Sequence, residues 1–385
     1  MNVREVFNGL APNFTCQWPQ RPKRILVIGL VIVGMGVSHS FSAQHFASAG
    51  SPDQSSIRVL SHRHVIEFGN RIEFELEVES LSSPIVEIRA MFKPGGPDSI
   101  TSYTYGKFTS GRRVDSSFNI ATSGPSYFPP GVEFEVKYQI TDSAGNFLET
   151  ESATVEYLDP RFEWQRSSDD FITVLYHDLE KTVVYDLMSS VADLTADILK
   201  ATGLSRPGSY KAVLFNSMDE ADRSFPIVSL TASTQHIFAG FAYSEYNLFN
   251  MLGSDPDTFV HELVHLFVGE SVRSPLGRRV PGWLNEGLAV YMQHRKLIGP
   301  ASIAPAAKSG NLLPLSAMNS VPGRRDDVAM FYPQAGAFVG YLATRFGLES
   351  IGAMIAGLDA GYRVNEIATE VFGTSLVDLD FAFRE

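Results

Sequence analysis

The chain has 385 residues, of which 44% are apolar, and it carries a formal net charge of −12 at pH 7. This length and apolar content predict a multi-domain globular protein. The negative charge, together with the lack of a basic run in the body of the chain, argues against a nucleic-acid partner.

Residues 1–42 have the composition of a targeting segment. A basic cluster within residues 21–24 precedes the apolar run 25–37, which has the length of a signal-peptide core and is short for a membrane span. Small residues follow, so we expect cleavage after Ser42 or after Ala49. The alternative is an uncleaved membrane anchor through residues 25–37. In both cases we expect the body of the chain to be secreted or extracytoplasmic.

The single cysteine, Cys16, lies before this apolar run. A lipoprotein needs its cysteine just after such a run, so we do not expect lipidation at Cys16. The body of the chain has no cysteine with which to form a disulfide. Residues 43–57 are mostly small and polar, which is typical of a linker.

Residues 58–157 follow a two-residue period. Apolar and polar residues alternate over 71–78 and again over 132–138, and turn-forming residues occupy 95–98 and 142–146. About seven such segments predict an immunoglobulin-like β-sandwich. No cluster of His, Asp or Glu stands out in it, so we expect a role in packing or presentation. Glycan or partner binding is the less favoured alternative.

Residues 158–385 are predicted to form a second domain in which helices and strands alternate, so that the whole chain is of the α+β class. The elements predicted before the first motif are a strand (171–176), a helix (178–203, ended by Gly203), a strand (210–215), a short acidic helix (218–222) and a hairpin (237–243 and 246–251).

A His-Glu-x-x-His motif lies in the apolar stretch 259–267. On a helix, His261 and His265 lie one above the other and can supply two nitrogen ligands to zinc, with Glu262 placed to act on the metal-bound water. Ser254 or Asp255 can cap the first turn. The alternative is a pair of ordinary core histidines, but two histidines and a carboxylate in so apolar a helix need compensation, which a metal supplies.

A second helix is predicted over residues 281–292, opened by Pro-Gly. Its apolar stripe is formed by Leu284, Leu288 and Tyr291. Glu286 lies 21 positions after His265 and can serve as the third zinc ligand, which leaves one coordination position open for water. The alternative for Glu286 is a solvated helix residue.

The two segments together resemble the gluzincin metallopeptidases, in particular the peptidase MA-like family. The resemblance rests on the His-Glu-x-x-His motif followed by Trp-Leu-Asn-Glu-Gly-Leu-Ala at 283–289, and it extends diffusely over residues 160–385. It implies a thermolysin-like zinc peptidase domain in which an edge strand, here residues 240–242, aligns the substrate backbone. The Gly-x-Met-Glu-Asn sequence with which gluzincin aminopeptidases hold a free amino terminus is absent, which favours an endopeptidase.

The loop 271–280 contains Arg273, Arg278 and Arg279 and is predicted to be a mobile segment at the cleft. Its arginines either favour acidic groups of the substrate or are solvated charges. The remaining helices are predicted over 337–346, 350–358, 364–371 and 375–383, and the resemblance implies that they close the back of the cleft.

A peptidase also needs a donor for the oxyanion that forms at the scissile carbonyl. We expect this donor to be Tyr332, because it precedes a helix that should line the cleft; Tyr291 is the competitor. The predicted function is thus hydrolysis of peptides or proteins, with zinc held by His261, His265 and Glu286 and with Glu262 as general base and acid.

Two other functions are compatible with the same motif. A non-enzymatic cell-surface binding protein would use a structural zinc site and needs a fourth protein ligand. His294 lies two turns after Glu286, about 12 Å away by helical rise, and cannot easily complete the same sphere. A hydrolase acting on a bond other than a peptide would use the same water.

Overall fold

The computed structural model describes residues 56–203, 208–226, 239–293 and 303–385. The predicted targeting segment 1–42, the linker up to residue 55 and His294 lie outside these ranges. Within them, no helix combines the length and the apolar character needed to cross a membrane.

The amino-terminal part of the described chain consists of two antiparallel β-sheets. One sheet has the order β1-β2-β5; the other has the order β4-β3-β6-β7, and β8 pairs with β6. The strands are β1 (Ile57–Glu67), β2 (Arg71–Ser80), β3 (Ile85–Pro94), β4 (Ser102–Tyr105), β5 (Arg113–Ala121), β6 (Glu133–Asp142), β7 (Phe147–Glu149) and β8 (Ala153–Glu156).

Apolar and polar residues alternate along these strands, so each sheet has one apolar face that can pack on a core. Along β5 every second residue is buried, which matches the two-residue period of a strand with one face on a core. Phe74 of β2, Phe118 of β5 and Phe134 of β6 meet in one core that the two sheets share.

The carboxy-terminal part contains a five-stranded mixed sheet in the order β12-β13-β11-β10-β9. Its strands are β9 (Gln165–Ser168), β10 (Ile172–Tyr176), β11 (Tyr210–Phe215), β12 (Gly240–Tyr243) and β13 (Leu248–Leu252). Strands β10, β11 and β13 are parallel, whereas β9 and β12 run antiparallel at the two edges. The predicted hairpin is confirmed as β12 and β13. Strand β9 was not predicted, because its polar residues are mostly exposed and show no apolar pattern.

The α-helices of the described residues all follow β10 in the chain. They are α1 (Lys181–Thr202), α2 (Met218–Ser224), α3 (Pro256–Ser271), α4 (Gly282–Gln293), α5 (Ala304–Lys308), α6 (Arg325–Phe346), α7 (Glu349–Asp359), α8 (Val364–Phe372) and α9 (Leu376–Arg384). Among the described residues after β13, every regular element is a helix, as predicted. Helix α1 links the parallel strands β10 and β11, and Gly203 ends it in the left-handed conformation, at a φ of 75°.

One helix is longer than predicted. Helix α6 begins at Arg325 rather than near residue 337, and it contains Pro333 in its interior. A proline disfavours the helix around it, but here Phe331 and Ala335 are fully buried on either side of it. Tertiary packing of this face outweighs the local preference. Helix α6 lies so close to α4 that a Cβ at Gly287 would be 2.6 Å from the Ala335 carbonyl oxygen.

The two parts of the chain are in direct contact. Tyr243 of β12 and Leu248 of β13 belong to the same core as the amino-terminal sheets. The Tyr127 hydroxyl donates to the Ser224 carbonyl oxygen at 2.6 Å and lies 2.9 Å from the Tyr243 hydroxyl. The amino-terminal sheets thus support the hairpin at the edge of the second sheet.

Candidate metal centre

The helix that carries the His-Glu-x-x-His motif is fixed at its start and along its sides. The Asp255 side chain accepts a hydrogen bond from the Thr258 backbone N–H at 2.8 Å, and Pro256 occupies the first turn, where its missing N–H costs nothing. Phe259, Leu263 and Phe267 are fully buried. His261 and His265 lie on another face of the helix, on successive turns, with ring centroids 4.8 Å apart.

Helix α4 brings the third candidate ligand to the same point. Its first turn is held by the Gly282 and Trp283 backbone N–H groups, which donate to the carbonyl oxygens of Asn319 and Met318, each at 2.8 Å. Trp283 is also fully buried, and Glu286, one turn further along the helix, lies against the histidines of α3.

The candidate ligand atoms converge. The Nε2 atoms of His261 and His265 each lie 3.3 Å from the same oxygen, Oε2 of Glu286. The three ligand atoms all lie within 4.8 Å of one another. Two imidazole nitrogens and one carboxylate oxygen are the donor set of many catalytic zinc sites, so these residues fit a zinc ion held by three protein ligands.

Electrostatics couple the three groups. Burial lowers the pKa of His265, but the charge of Glu286 outweighs it and raises the pKa to about 9. Burial likewise raises the pKa of Glu286, and the two histidines outweigh it and hold this pKa far below its usual range. Glu286 is therefore a carboxylate at neutral pH, which is the form that binds a metal.

Glu262 lies beside the ligands and is nearly inaccessible. Only 5% of its surface is exposed, and burial raises its pKa above the usual value for a glutamic acid. Strand β12 covers it at Gly240, where an added Cβ would be 2.6 Å from Glu262 Oε1. From the sequence, Gly240 was predicted only as part of an edge strand. A glycine within a strand often marks such a close approach of another group to the backbone.

The two candidate tyrosines differ in position. Tyr332 lines the cleft, and its ring centroid lies 6.4 Å from that of His261. It lies inside α6, so the prediction that it precedes a helix is wrong, for the packing reason given above. Burial raises the pKa of Tyr332 far above its usual value, which keeps the hydroxyl protonated. Tyr291 packs against Gly340 of α6 and is not among the residues that line the cleft.

The three candidate ligands line a cleft with a volume of about 580 Å³. One wall is β12 from Gly240 to Ala242, and another is formed by residues 272–280 of the loop between α3 and α4. Arg278 and Arg279 line the cleft, as predicted for this loop, whereas Arg273 instead donates to the Asn247 side chain at 2.9 Å. In the part of the chain that the structure describes, no fourth candidate ligand joins the three.

Comparison with known proteins gives the following matches. Residues 233–385 match the family described as the Peptidase MA superfamily. An M1 zinc metallopeptidase from Deinococcus radiodurans is similar over 86% of this chain and 94% of that one, with 12% identity and a TM-score of 0.39. A mutant of that enzyme bound to a Tyr-Ser-Ala substrate has 13% identity, the same coverage of both chains and a TM-score of 0.39.

An aminopeptidase N family protein from Idiomarina loihiensis matches 60% of this chain and 53% of that one, with 7% identity and a TM-score of 0.27. No curated protein matches the chain. The family match spans both helices of the metal centre and confirms the resemblance to peptidase MA-like gluzincins drawn from the motif.

Proposed function

We propose that this chain, a zinc metallopeptidase with a peptidase MA-like domain, is an endopeptidase that acts outside the cytoplasm on peptides or proteins. The observation that carries the proposal is the convergence of His261, His265 and Glu286 at the floor of a cleft, with Glu262 beside them. In the proposal, the two histidines and Glu286 hold the zinc ion.

A zinc ion held by these residues would lower the pKa of a water at the site to about 7 and would polarise the scissile carbonyl. Glu262 takes the proton from the attacking water and delivers it to the leaving amine. Two features support this assignment. The carboxyl is held in place by Gly240 from β12, and its raised pKa brings it closer to the range in which a group can both accept and donate a proton.

Tyr332 is the proposed hydrogen-bond donor to the oxyanion. Its place on the cleft wall near His261 and the elevated pKa of its hydroxyl support this role, since a donor must stay protonated throughout the reaction. Tyr291 is disfavoured by its packing against Gly340.

An endopeptidase must accept chain on both sides of the scissile bond. Strand β12 is one of the two edge strands of its sheet and also a wall of the cleft, so an extended substrate can add to it as a further strand. The absence of the Gly-x-Met-Glu-Asn sequence also favours an endopeptidase, because gluzincin aminopeptidases use that sequence to hold the free amino terminus of the substrate.

The remaining parts of the proposal concern the amino-terminal half. Two facing antiparallel sheets with a common core support an immunoglobulin-like sandwich over residues 58–157, joined to a peptidase domain over 158–385. The apolar run 25–37 supports export, either as a signal peptide or as a membrane tether. Amino-terminal sequencing of the protein from the membrane and soluble fractions of an expressing cell distinguishes the two.

The central experiment combines metal analysis with peptide digestion. We expect about one zinc per chain, and cleavage at internal bonds of peptides whose amino termini are acetylated. Chelation should abolish cleavage, and zinc should restore it. Zinc-loaded protein that trims only free amino termini, stepwise, would contradict the endopeptidase assignment. Zinc-loaded protein that cleaves no peptide would contradict the whole proposal.

A further inference from the structure

The loop between α3 and α4, which the sequence predicts to be mobile, is instead hydrogen-bonded to α7 at two points. The Ser274 backbone N–H donates to the Asp359 carboxylate at 2.7 Å, and the Arg278 backbone N–H donates to the Leu358 carbonyl oxygen at 2.8 Å. Both partners lie at the carboxy-terminal end of α7. The loop is thus anchored to the helical part of the domain, and it presents its side chains to the cleft from a supported backbone.

The cleft contains two positive charges that the catalytic proposal does not use. Apart from the four residues of the metal centre, the charged residues that line it within the described chain are Arg278 and Arg279. The Arg278 Nε donates to the Gly361 carbonyl oxygen at 2.9 Å, which fixes that side chain. Arg279 is exposed and has no hydrogen bond or ion pair with any residue of the described chain.

Stabilisation of the fold does not account for Arg279. Arg273 of the same loop has protein partners in Asn247 and Asp98, and the acidic chain offers many further carboxylates, yet none of them pairs with Arg279 in the described part of the chain. A guanidinium presents a fork of N–H donors that matches the two oxygens of a carboxylate. Val272, Val280 and Val321 line the same cleft, and such apolar walls strengthen the field of a nearby charge.

We propose that Arg279, with Arg278 beside it, forms a carboxylate-binding subsite of the cleft. The inference rests on the proposed peptidase function and names the substrate class: peptides with a carboxylate near the scissile bond. That carboxylate comes either from an Asp or Glu side chain or from the carboxyl terminus of a short peptide. Both sources offer the same two oxygens to the guanidinium.

Matched peptide pairs test the subsite and separate the two sources. The first kind of pair is blocked at both ends, and its two members differ only by Glu or Gln at one position near the cleaved bond. One such pair is made for each position. The second pair has a neutral sequence and differs by a free or an amidated carboxyl terminus. The wild-type protein should prefer the carboxylate member of at least one pair by about fivefold in kcat/KM, the size expected of a partly exposed ion pair.

Three variants complete the test. Arg279→Gln should bring the preferred ratio close to one, mainly through a higher KM for the carboxylate peptide, while Arg279→Lys should keep part of the preference. Arg273→Gln is the control, since this residue lies on the same loop but does not line the cleft, and it should keep the full ratio. The wild-type preference should also shrink as salt is added.

Each outcome bears on the proposal. Loss of the ratio in Arg279→Gln alone supports the subsite, and the pair affected identifies the source of the carboxylate. A wild-type ratio near one for both pairs, or equal losses in Arg279→Gln and Arg273→Gln, overturns it. In these last cases the peptides are still cleaved, so the proposed peptidase function stands. Failure to cleave any member of either pair overturns the proposed function itself.

Discussion

Glu262 and Glu286 are carboxylates of one site with different surroundings. Glu286 faces the Nε2 atoms of both histidines, which hold its pKa low. Glu262 is buried against Gly240 and has a raised pKa. The first is suited to bind a metal ion, and the second is suited to exchange a proton.

Substitution of Glu286 should remove the metal. In Glu286→Ala the two imidazoles remain without their common partner, so bound zinc and activity should fall together. Metal content after dialysis, measured beside peptide hydrolysis, checks this. Retention of both metal and activity would place the third ligand elsewhere.

Substitution of Glu262 should leave the metal in place. Glu262→Gln keeps the size and shape of the side chain but cannot take up the proton, so zinc should stay near one per chain while kcat falls. General acid–base groups contribute about 10²- to 10⁴-fold, and a residue that serves both proton transfers belongs at the upper end of that range. Loss of zinc in this variant would instead identify Glu262 as a ligand.

Asp142 in the amino-terminal sheets makes stability depend on pH. Its carboxylate is 1% exposed and accepts hydrogen bonds from Ser80, Ser82 and the Ala144 backbone N–H. Burial alone would raise the pKa of Asp142, but hydrogen bonds from Ser82, Asn146 and Ser80 outweigh it and hold the pKa well below its usual range.

Because the pKa of Asp142 is lower in the folded state than in the unfolded state, its ionisation stabilises the fold at pH values above the unfolded-state pKa, which is about 4. This stabilisation is lost as the pH falls from there toward the folded-state pKa. We expect Asp142→Asn to unfold at a lower temperature at pH 7 and to lose less stability on acidification than the wild type. Thermal unfolding at several pH values from 7 to 3 measures both. Glu151→Gln, at an exposed position, is the control and should follow the wild-type curve.

At the scale of elements, β12 lies between two cores. Its alternate residues face opposite ways, so Gly240 and Ala242 turn to α3 and the metal centre, while Phe241 and Tyr243 pack with the amino-terminal sheets. The strand that borders the cleft is therefore held from both sides, which suits an element that positions a general base and a substrate.

A methyl group at Gly240 should disturb this arrangement. In Gly240→Ala the new Cβ would collide with the Glu262 carboxyl, so either β12 or Glu262 must shift. A displacement near 1 Å can cost about 100-fold in rate, and we expect a fall in kcat of about 10- to 100-fold with zinc content retained. Gly323→Ala is the matched control, since a Cβ there meets no atom within 4 Å. Unchanged kcat in Gly240→Ala would show that the contact is unimportant.

At the scale of the whole molecule, a partly buried cation joins the two halves. Lys211 of β11 donates from Nζ to the Gly131 carbonyl oxygen and to the carboxylates of Glu133 and Glu156, each at 2.8 Å. Its side chain is 17% exposed. Gly131 approaches β11 so closely that a Cβ would be 2.7 Å from a Val213 methyl carbon. Such a contact predicts that the two halves unfold together.

Removal of this charge should weaken the contact. Lys211→Met keeps the length of the side chain but leaves Glu133 and Glu156 without their common partner, which should cost about 1–2 kcal/mol, between the values of exposed and buried ion pairs. Calorimetry should show a single transition in the wild type and a lower melting temperature in the variant. Lys137→Met, which breaks the Lys137–Glu149 pair within the amino-terminal sheets, should change the melting temperature much less. Two separate transitions in the wild type would contradict the coupling.

The sequence alone predicted the features that depend on local spacing. The His-Glu-x-x-His helix, the helix that carries Glu286 and the alternating strands follow from fixed periods of 3.6 and 2 residues, which act within a few residues. The same locality explains the N-cap at Asp255 and the end of α1 at Gly203. Because zinc binding requires particular residue types at particular spacings, the cofactor followed from the same patterns, and the family match bears it out.

Only the tertiary structure decided the contacts between distant segments. The start of α6 was misplaced because the burial that overrides Pro333 comes from other helices. Gly240 approaches Glu262 from a different element. Tyr332 lines the cleft and Tyr291 does not, and Arg279 lines it whereas Arg273 binds Asn247. Each of these differences depends on contacts between residues far apart in the chain. A short window of sequence contains no record of which surfaces meet, because these contacts depend on the packing of the whole core.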